Sequence, residues 1–188
     1  MNERIREHLD NLYSKDAELR YHSFQYLLNE SNEPVGWIRI AWDDLLALLH
    51  GDNHQRAIAA QLMSNLAKSD PERALESLDR IMKVTHDERF VTARHTLQSL
   101  WKVAIASEKL EKEIVEQLTI RFNDCTVEKN CTLLRYDILE VFKKVYDNTR
   151  DEKLKSKSLD LIDTETDPKY KKKYMGLWKD TLAKELNT

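Results

Sequence analysis

Four arginines recur in one apolar frame: LRYHSFQYL, QRAIAAQLM, ARHTLQSLW and LRYDILEVF hold Arg20, Arg56, Arg94 and Arg135. A guanidinium carries five N–H donors in a planar fork, so a row of them suits carboxylates, phosphates or peptide carbonyls. The residue after each arginine is Tyr21, Ala57, His95 and Tyr136, which adds a ring to three of the four. Lys102 and Lys143 stand eight residues beyond Arg94 and Arg135. The candidate binding residues are therefore Arg20, Tyr21, Arg56, Arg94, His95, Lys102, Arg135 and Tyr136, joined by Trp37 as a partner anchor if its ring is exposed. The competing role is internal. Each alkyl stem covers core while the guanidinium bonds helix ends or acids such as Asp16 and Asp52. Trp37 likewise has a packing role, closing the first two helix pairs beside Trp42.

Other chemistries find little support. Lys169-Tyr-Lys-Lys-Lys-Tyr174 is the one basic run, and on a helix it places Tyr170, Tyr174, Leu177 and Trp178 on one face with lysines on the rest. His50 and His54 are four apart, but Gly51-Asp52 breaks a helix between them. No HExxH, nucleophile elbow, P-loop or GxGxxG sequence occurs, and with three glycines a phosphate-cradling loop has little material. No catalytic residue, metal ligand or cofactor is assigned. Cys125 and Cys131 read as buried, reduced thiols of a cytoplasmic protein.

The elements that hold the arginines follow from the residues downstream. Ser23, Ala59, Leu97 and Ile138 lie three residues on; Tyr26, Leu62, Leu100 and Val141 six on; Leu27, Met63, Trp101 and Phe142 seven on. At about 100° per residue these form a single apolar stripe with the arginine on its flank. Between these helices lie partners of the same period, such as Leu45, Leu46, Leu48 and Leu49, or Leu110, Ile114, Leu118 and Phe122. Caps are legible: Gly51 closes one helix, and Asp52, Asp70-Pro71, Thr126 and Asp167-Pro168 open others. The pattern predicts helices near 3–13, 16–29, 38–50, 53–68, 71–84, 88–106, 109–123, 127–147, 151–163 and 168–186, which is five antiparallel pairs.

Bulk composition agrees. Three glycines and three prolines leave strand-rich folds without turn chemistry. A chain 41% hydrophobic and 34% charged suits a thin, two-layer helical stack that exposes much surface. The net charge of −3 gives no global pull toward nucleic acid or an anionic membrane. No run reaches the ~18 apolar residues of a membrane span, and the amphipathic N-terminus MNERIREHLDNLY lacks the apolar core of a secretion signal.

The arginine spacings of 36, 38 and 41 residues match a helical-repeat period. With Asp16-x-x-x-Arg20 and Asp52-x-x-x-Arg56, each followed by small or apolar residues, roughly residues 1–150 resemble HEAT-type repeats of the armadillo-like α-solenoid superfamily. The resemblance implies an all-α, right-handed α-α superhelix of about five antiparallel helix pairs in one domain, 1–188, with 151–188 a divergent C-terminal cap. It implies that a turn aspartate and the arginine link neighbouring units. Phe90 and Cys131 depart from the pattern, and Asp87 and Glu128 precede those arginines by seven residues, as one extra helical turn would explain. The implied function is a non-catalytic scaffold presenting a curved helical face to a protein or peptide. The alternative is a DNA-binding protein or enzyme resembling the HEAT-like DNA alkylation-repair glycosylases, although no tryptophan here has an aspartate four residues later. Assembly into a homo-oligomer is a further option.

Overall fold

The structure, a computed structural model, describes residues 3–185 and side chains to Lys184. The described residues form twelve α-helices and two 3-10 turns with no strand, and about 80% of the chain is helical. The helices are α1 (Glu3–Asn11), α2 (Ala17–Glu30), α3 (Ile38–Leu48), α4 (Asn53–Leu66), α5 (Pro71–Glu76), α6 (Leu78–Val84) and α7 (Phe90–Ala104). They continue with α8 (Glu108–Asp124), α9 (Cys131–Thr149), α10 (Glu152–Asp163), α11 (Pro168–Gly176) and α12 (Lys179–Glu185). None is long and apolar enough to cross a membrane.

The four arginines lie on α2, α4, α7 and α9, and these helices pack on one another in chain order, with α11 against α9. The junctions of α4 with α7 and of α7 with α9 are the most extensive, while α2 meets α4 more sparingly. The other helices brace this row: α1 packs on α2, α3 on α4, α6 on α4 and α7, α8 on α7 and α9, and α10 on α9 and α11. The apolar stripe points inward. Ala59, Leu97, Ile138, Leu62, Leu100, Val141, Met63 and Phe142 are all buried in a core that runs from Ile5 to Trp178.

Most helix starts have the local chemistry their sequences predict. Asp16, Asp70, Asp151 and Asp167 each accept backbone N–H groups in the first turn, and Asp52 closes a reciprocal box with Gln55. Gly51 serves that box through space rather than through its backbone angles, because a Cβ there would collide with the Gln55 side chain. Among the described residues the one in the left-handed region is Arg150, φ 58°, which ends α9.

Three expectations are corrected. The helix predicted over 71–84 is two, α5 and α6, because Ser77 adopts φ −104°, ψ 3° while its buried hydroxyl accepts the Trp42 indole N–H at 3.1 Å. The helix predicted over 168–186 is also two: Leu177 and Trp178 bond back three residues instead of four, just after Gly176, and this turn leaves Trp178 fully buried. Residue 186 lies outside the described residues. Thr126 does not cap α9; it sits in a 3-10 turn, and α9 begins only after Asn130.

The cysteines are not free thiols. Cys125 and Cys131 form a disulfide, Cα–Cα 5.2 Å, across the turn joining α8 to α9. That turn replaces the extra helical turn expected before α9, and the cytoplasmic expectation loses the support of reduced thiols.

Candidate functional site

Three of the four arginines are held in ion pairs with acids further along the chain. Arg56 Nε and Nη2 donate to Asp87 at 2.5 and 3.0 Å, while its Nη1 donates to the Gly51 carbonyl at 2.8 Å. Hydrogen bonding to Arg56 holds the Asp87 carboxyl below its ordinary range, and the Asp87 side chain is only 4% exposed. Arg94 makes a similar fork to Asp137 at 2.6 and 2.9 Å. Asp137 is fully buried on α9 and accepts a third bond from Gln98 at 3.1 Å. Arg135 bonds the Phe122 carbonyl at 3.1 Å and Glu165 at 3.1 Å. Arg20, alone of the four, has no carboxylate contact of this kind among the described residues; it donates to the Ser14 carbonyl at 2.7 Å.

This geometry corrects two expectations about the arginines. Their acids are Asp87, Asp137 and Glu165, not Asp16 and Asp52, which cap their own helices. The acids of Arg94 and Arg135 belong to the next member of the packed row: Asp137 on α9, and Glu165 in the turn before α11. Glu128 belongs to Arg121 on α8, whose side chain is 6% exposed. Asp87 lies in the turn before α7 and gives no extra turn of helix.

The residues beside the arginines are more open. Tyr21 is 64% exposed and His95 is exposed, while Tyr136 is half-buried with the Lys173 ammonium 4.5 Å above its ring. Burial raises the pKa of the Tyr136 hydroxyl. The three stand one residue after their arginines on α2, α7 and α9. Trp37 is half-buried against the core at the start of α3. Of the basic run, Tyr174 is fully buried with its hydroxyl donating to the Thr132 carbonyl at 2.9 Å, so α11 uses its aromatic face for packing.

Lys102 differs from the arginines. Its half-buried ammonium donates to the Asn65 side-chain oxygen at 2.6 Å. The amide is fixed in that orientation because its nitrogen donates to the Leu28 carbonyl at 2.9 Å and to Ser31 Oγ at 2.8 Å. Burial lowers the Lys102 pKa, and the neighbouring charges Lys68 and Lys144 lower it further. This ladder, from α2 through α4 to α7, runs beside a second link in which the Ser64 and Ser99 hydroxyls lie 2.9 Å apart.

Two open grooves lie elsewhere. One, about 1060 Å³, runs between α8 and α10 past Glu111, Val115, Ile120 and Leu154; the other, about 1130 Å³, runs between α3 and α5 past Ile38, Arg39 and Leu75. Neither gathers a metal-ligating cluster, and none occurs among the described residues. The signal that sequence reading missed is the pairing of Asn65 with Lys102, 37 residues apart. The sequence matches no protein-family model and no curated protein.

Proposed function

We propose that this chain is a single-domain, HEAT-like α-solenoid over residues 1–188, with 151–188 as its terminal cap. In this reading it works without catalysis, by binding a protein or peptide along the exposed side of α2, α4, α7 and α9. Support for the repeat reading comes from the chain-order packing of those helices and from arginine ties that reach forward to the next member of the row or the turn before it. One observation carries the binding reading. The arginines are occupied internally, yet the adjacent position is exposed on α2 and α7, where it holds Tyr21 and His95, and half-buried on α9, where it holds Tyr136. Rings with a polar tip on a rigid support are the side chains that anchor partners best.

The test places a photo-crosslinking phenylalanine analogue at His95 on α7 and, separately, at the exposed Asp160 on α10, in cells of the source organism. A discrete crosslinked protein from position 95, absent from position 160, supports the reading. Equal products from both positions, no product from position 95, or a product containing only this chain overturns it.

A further inference from the structure

Lys68, Lys102 and Lys144 belong to three successive members of the packed row: the turn just after α4, the last turns of α7, and the second half of α9. They follow Arg56, Arg94 and Arg135 by 12, 8 and 9 residues, and the Lys68 and Lys144 charges both act on the half-buried Lys102 ammonium that Asn65 holds. Lys68 donates to the Asn32 carbonyl beyond the end of α2. Lys102 donates once to Asn65, and a lysine ammonium has three N–H donors. Among the described residues neither Lys68 nor Lys102 has a carboxylate partner, whereas Arg56, Arg94 and Arg135 on the same helices each have one.

The nearby acids do not close this deficit. Glu140 lies 3.6 Å from Lys144, and Asp147 binds Lys143 at 2.6 Å. Arg150 also pairs with Asp147 at 3.7 Å, so both carboxylates already have cations of their own. The two lysines without an acid are the two whose positions are fixed by neutral oxygens. The Lys102 ammonium also lies 5.8 Å from the half-buried Trp101 ring, which offers an apolar wall beside the charge.

We infer that Lys68, Lys102 and Lys144 form a carboxylate-binding station that takes an acidic segment of a peptide or protein partner. The inference rests on the binding reading above and names the chemistry of its partner. The Asn65 amide holds the Lys102 ammonium in place before any ligand arrives, so little side-chain freedom remains to be lost on binding. The patch is short and bounded by Glu140 and Asp147, which suits one or two carboxylates. A continuous phosphate track would meet those acids and a chain of net charge −3.

The probe is a rhodamine-labelled, end-blocked hexaglutamate peptide, followed by fluorescence anisotropy at about 20 mM salt, where surface charges are weakly screened. Wild-type protein should bind it, and binding should weaken steeply as salt rises. Lys102→Gln keeps a donor for Asn65 and should weaken binding about tenfold, the scale of a lost hydrogen bond between charged groups. Lys144→Gln alters a partly exposed side chain whose one ion pair is an i,i+4 contact to Glu140, worth little to folding, and should weaken it about two- to fivefold. Lys112→Gln on α8 removes one charge elsewhere and should change nothing.

The inference fails if wild type does not bind the peptide, if both Lys102→Gln and Lys144→Gln bind like wild type, or if Lys112→Gln loses as much as they do. A short DNA duplex that binds more tightly than hexaglutamate, and depends on Lys102, assigns the station to nucleic acid and overturns it too. Crosslinks from His95 that persist while peptide binding is absent would leave the binding face standing without this station. Lys102-dependent peptide binding with no His95 crosslink would leave the station standing without that face.

Discussion

Removing the Arg94 guanidinium should destabilise the fold far more than removing an exposed cation. The Asp137 carboxylate is fully buried and accepts three bonds, two of them from Arg94. In Arg94→Ala it keeps only Gln98 at 3.1 Å, a neutral donor facing a buried negative charge. Breaking a buried pair from one side costs about 3–5 kcal/mol. The lower end applies here, because the Arg94 side chain is 32% exposed and water can reach the vacated space. A loss of about 3 kcal/mol lowers Tm by roughly 6–12 °C in a chain of this size. Adding Asp137→Asn to Arg94→Ala should recover about 1–2 kcal/mol, since an amide is cheaper to bury than a carboxylate. Arg20→Ala should cost only about 1 kcal/mol, the value of its bond to the Ser14 carbonyl. Urea unfolding of wild type, Arg94→Ala, Asp137→Asn and the double variant, a double-mutant cycle, measures the coupling directly. A coupling below about 0.5 kcal/mol, or Arg94→Ala as stable as wild type, would refute the internal role and return Arg94 to the surface.

Reduction of the Cys125–Cys131 disulfide should lower stability by about 2 kcal/mol, because it closes a loop of only a few residues; melting with and without a phosphine reductant reads this as a Tm difference, and coincident curves would sink it. His8 is buried against Tyr26 and Ser23, and burial chiefly lowers its pKa below 6.5, with Glu7 opposing and Arg4 and His22 assisting. The unfolded chain therefore binds that proton more readily. The His8 contribution is intact above pH 6.5 and is lost as pH falls through the lower folded value. His8→Gln should flatten the decline in urea midpoint between about pH 7 and 5, leaving the part due to His86, whose pKa burial also lowers. Native-state hydrogen exchange should find α1 and α2 opening before α4, α7 and α9; uniform protection across the row would contradict that order.

The helices were legible because their determinants are local. Ala59, Leu97 and Ile138 recur at a helical spacing, and Asp16, Asp70 and Asp167 reach only to N–H groups two or three residues away. Ser77 is different. Its sequence surroundings continue a helix, and the break coincides with a bond to Trp42, 35 residues earlier. The acids of the arginine ties were hidden for the same reason. Asp87, Asp137 and Glu165 follow their arginines by 31, 43 and 30 residues, so no fixed offset announces them. Asp137 even sits two residues after Arg135 and belongs to Arg94. The cysteines misled because a compartment argument from two residues says nothing of whether a turn brings them together. Of the candidate binding residues, Tyr21, His95 and Tyr136 share one offset in the sequence, but the pairing of the arginines beside them depended on tertiary partners.

The one arginine without an acid shows why the row is uneven. A turn aspartate can accept the first N–H groups of its own helix or reach toward the arginine of the preceding unit. Asp52 does the first: its carboxylate accepts the Gln55 N–H at 2.9 Å while Gln55 returns a bond to its backbone. Asp87 does mainly the second, taking the Arg56 fork, and α7 begins at Arg89 with no side-chain cap. Each choice secures one thing and leaves another open. The α4 start is well capped and the α2–α4 junction is spare; the α4–α7 junction is tied and the α7 start is bare. The Asn65 ladder joins α2, α4 and α7 from the opposite end of the helices, and it does so with neutral groups and an ammonium. A tie built that way leaves its charge unanswered, which is the property that sets Lys102 apart from Arg56, Arg94 and Arg135.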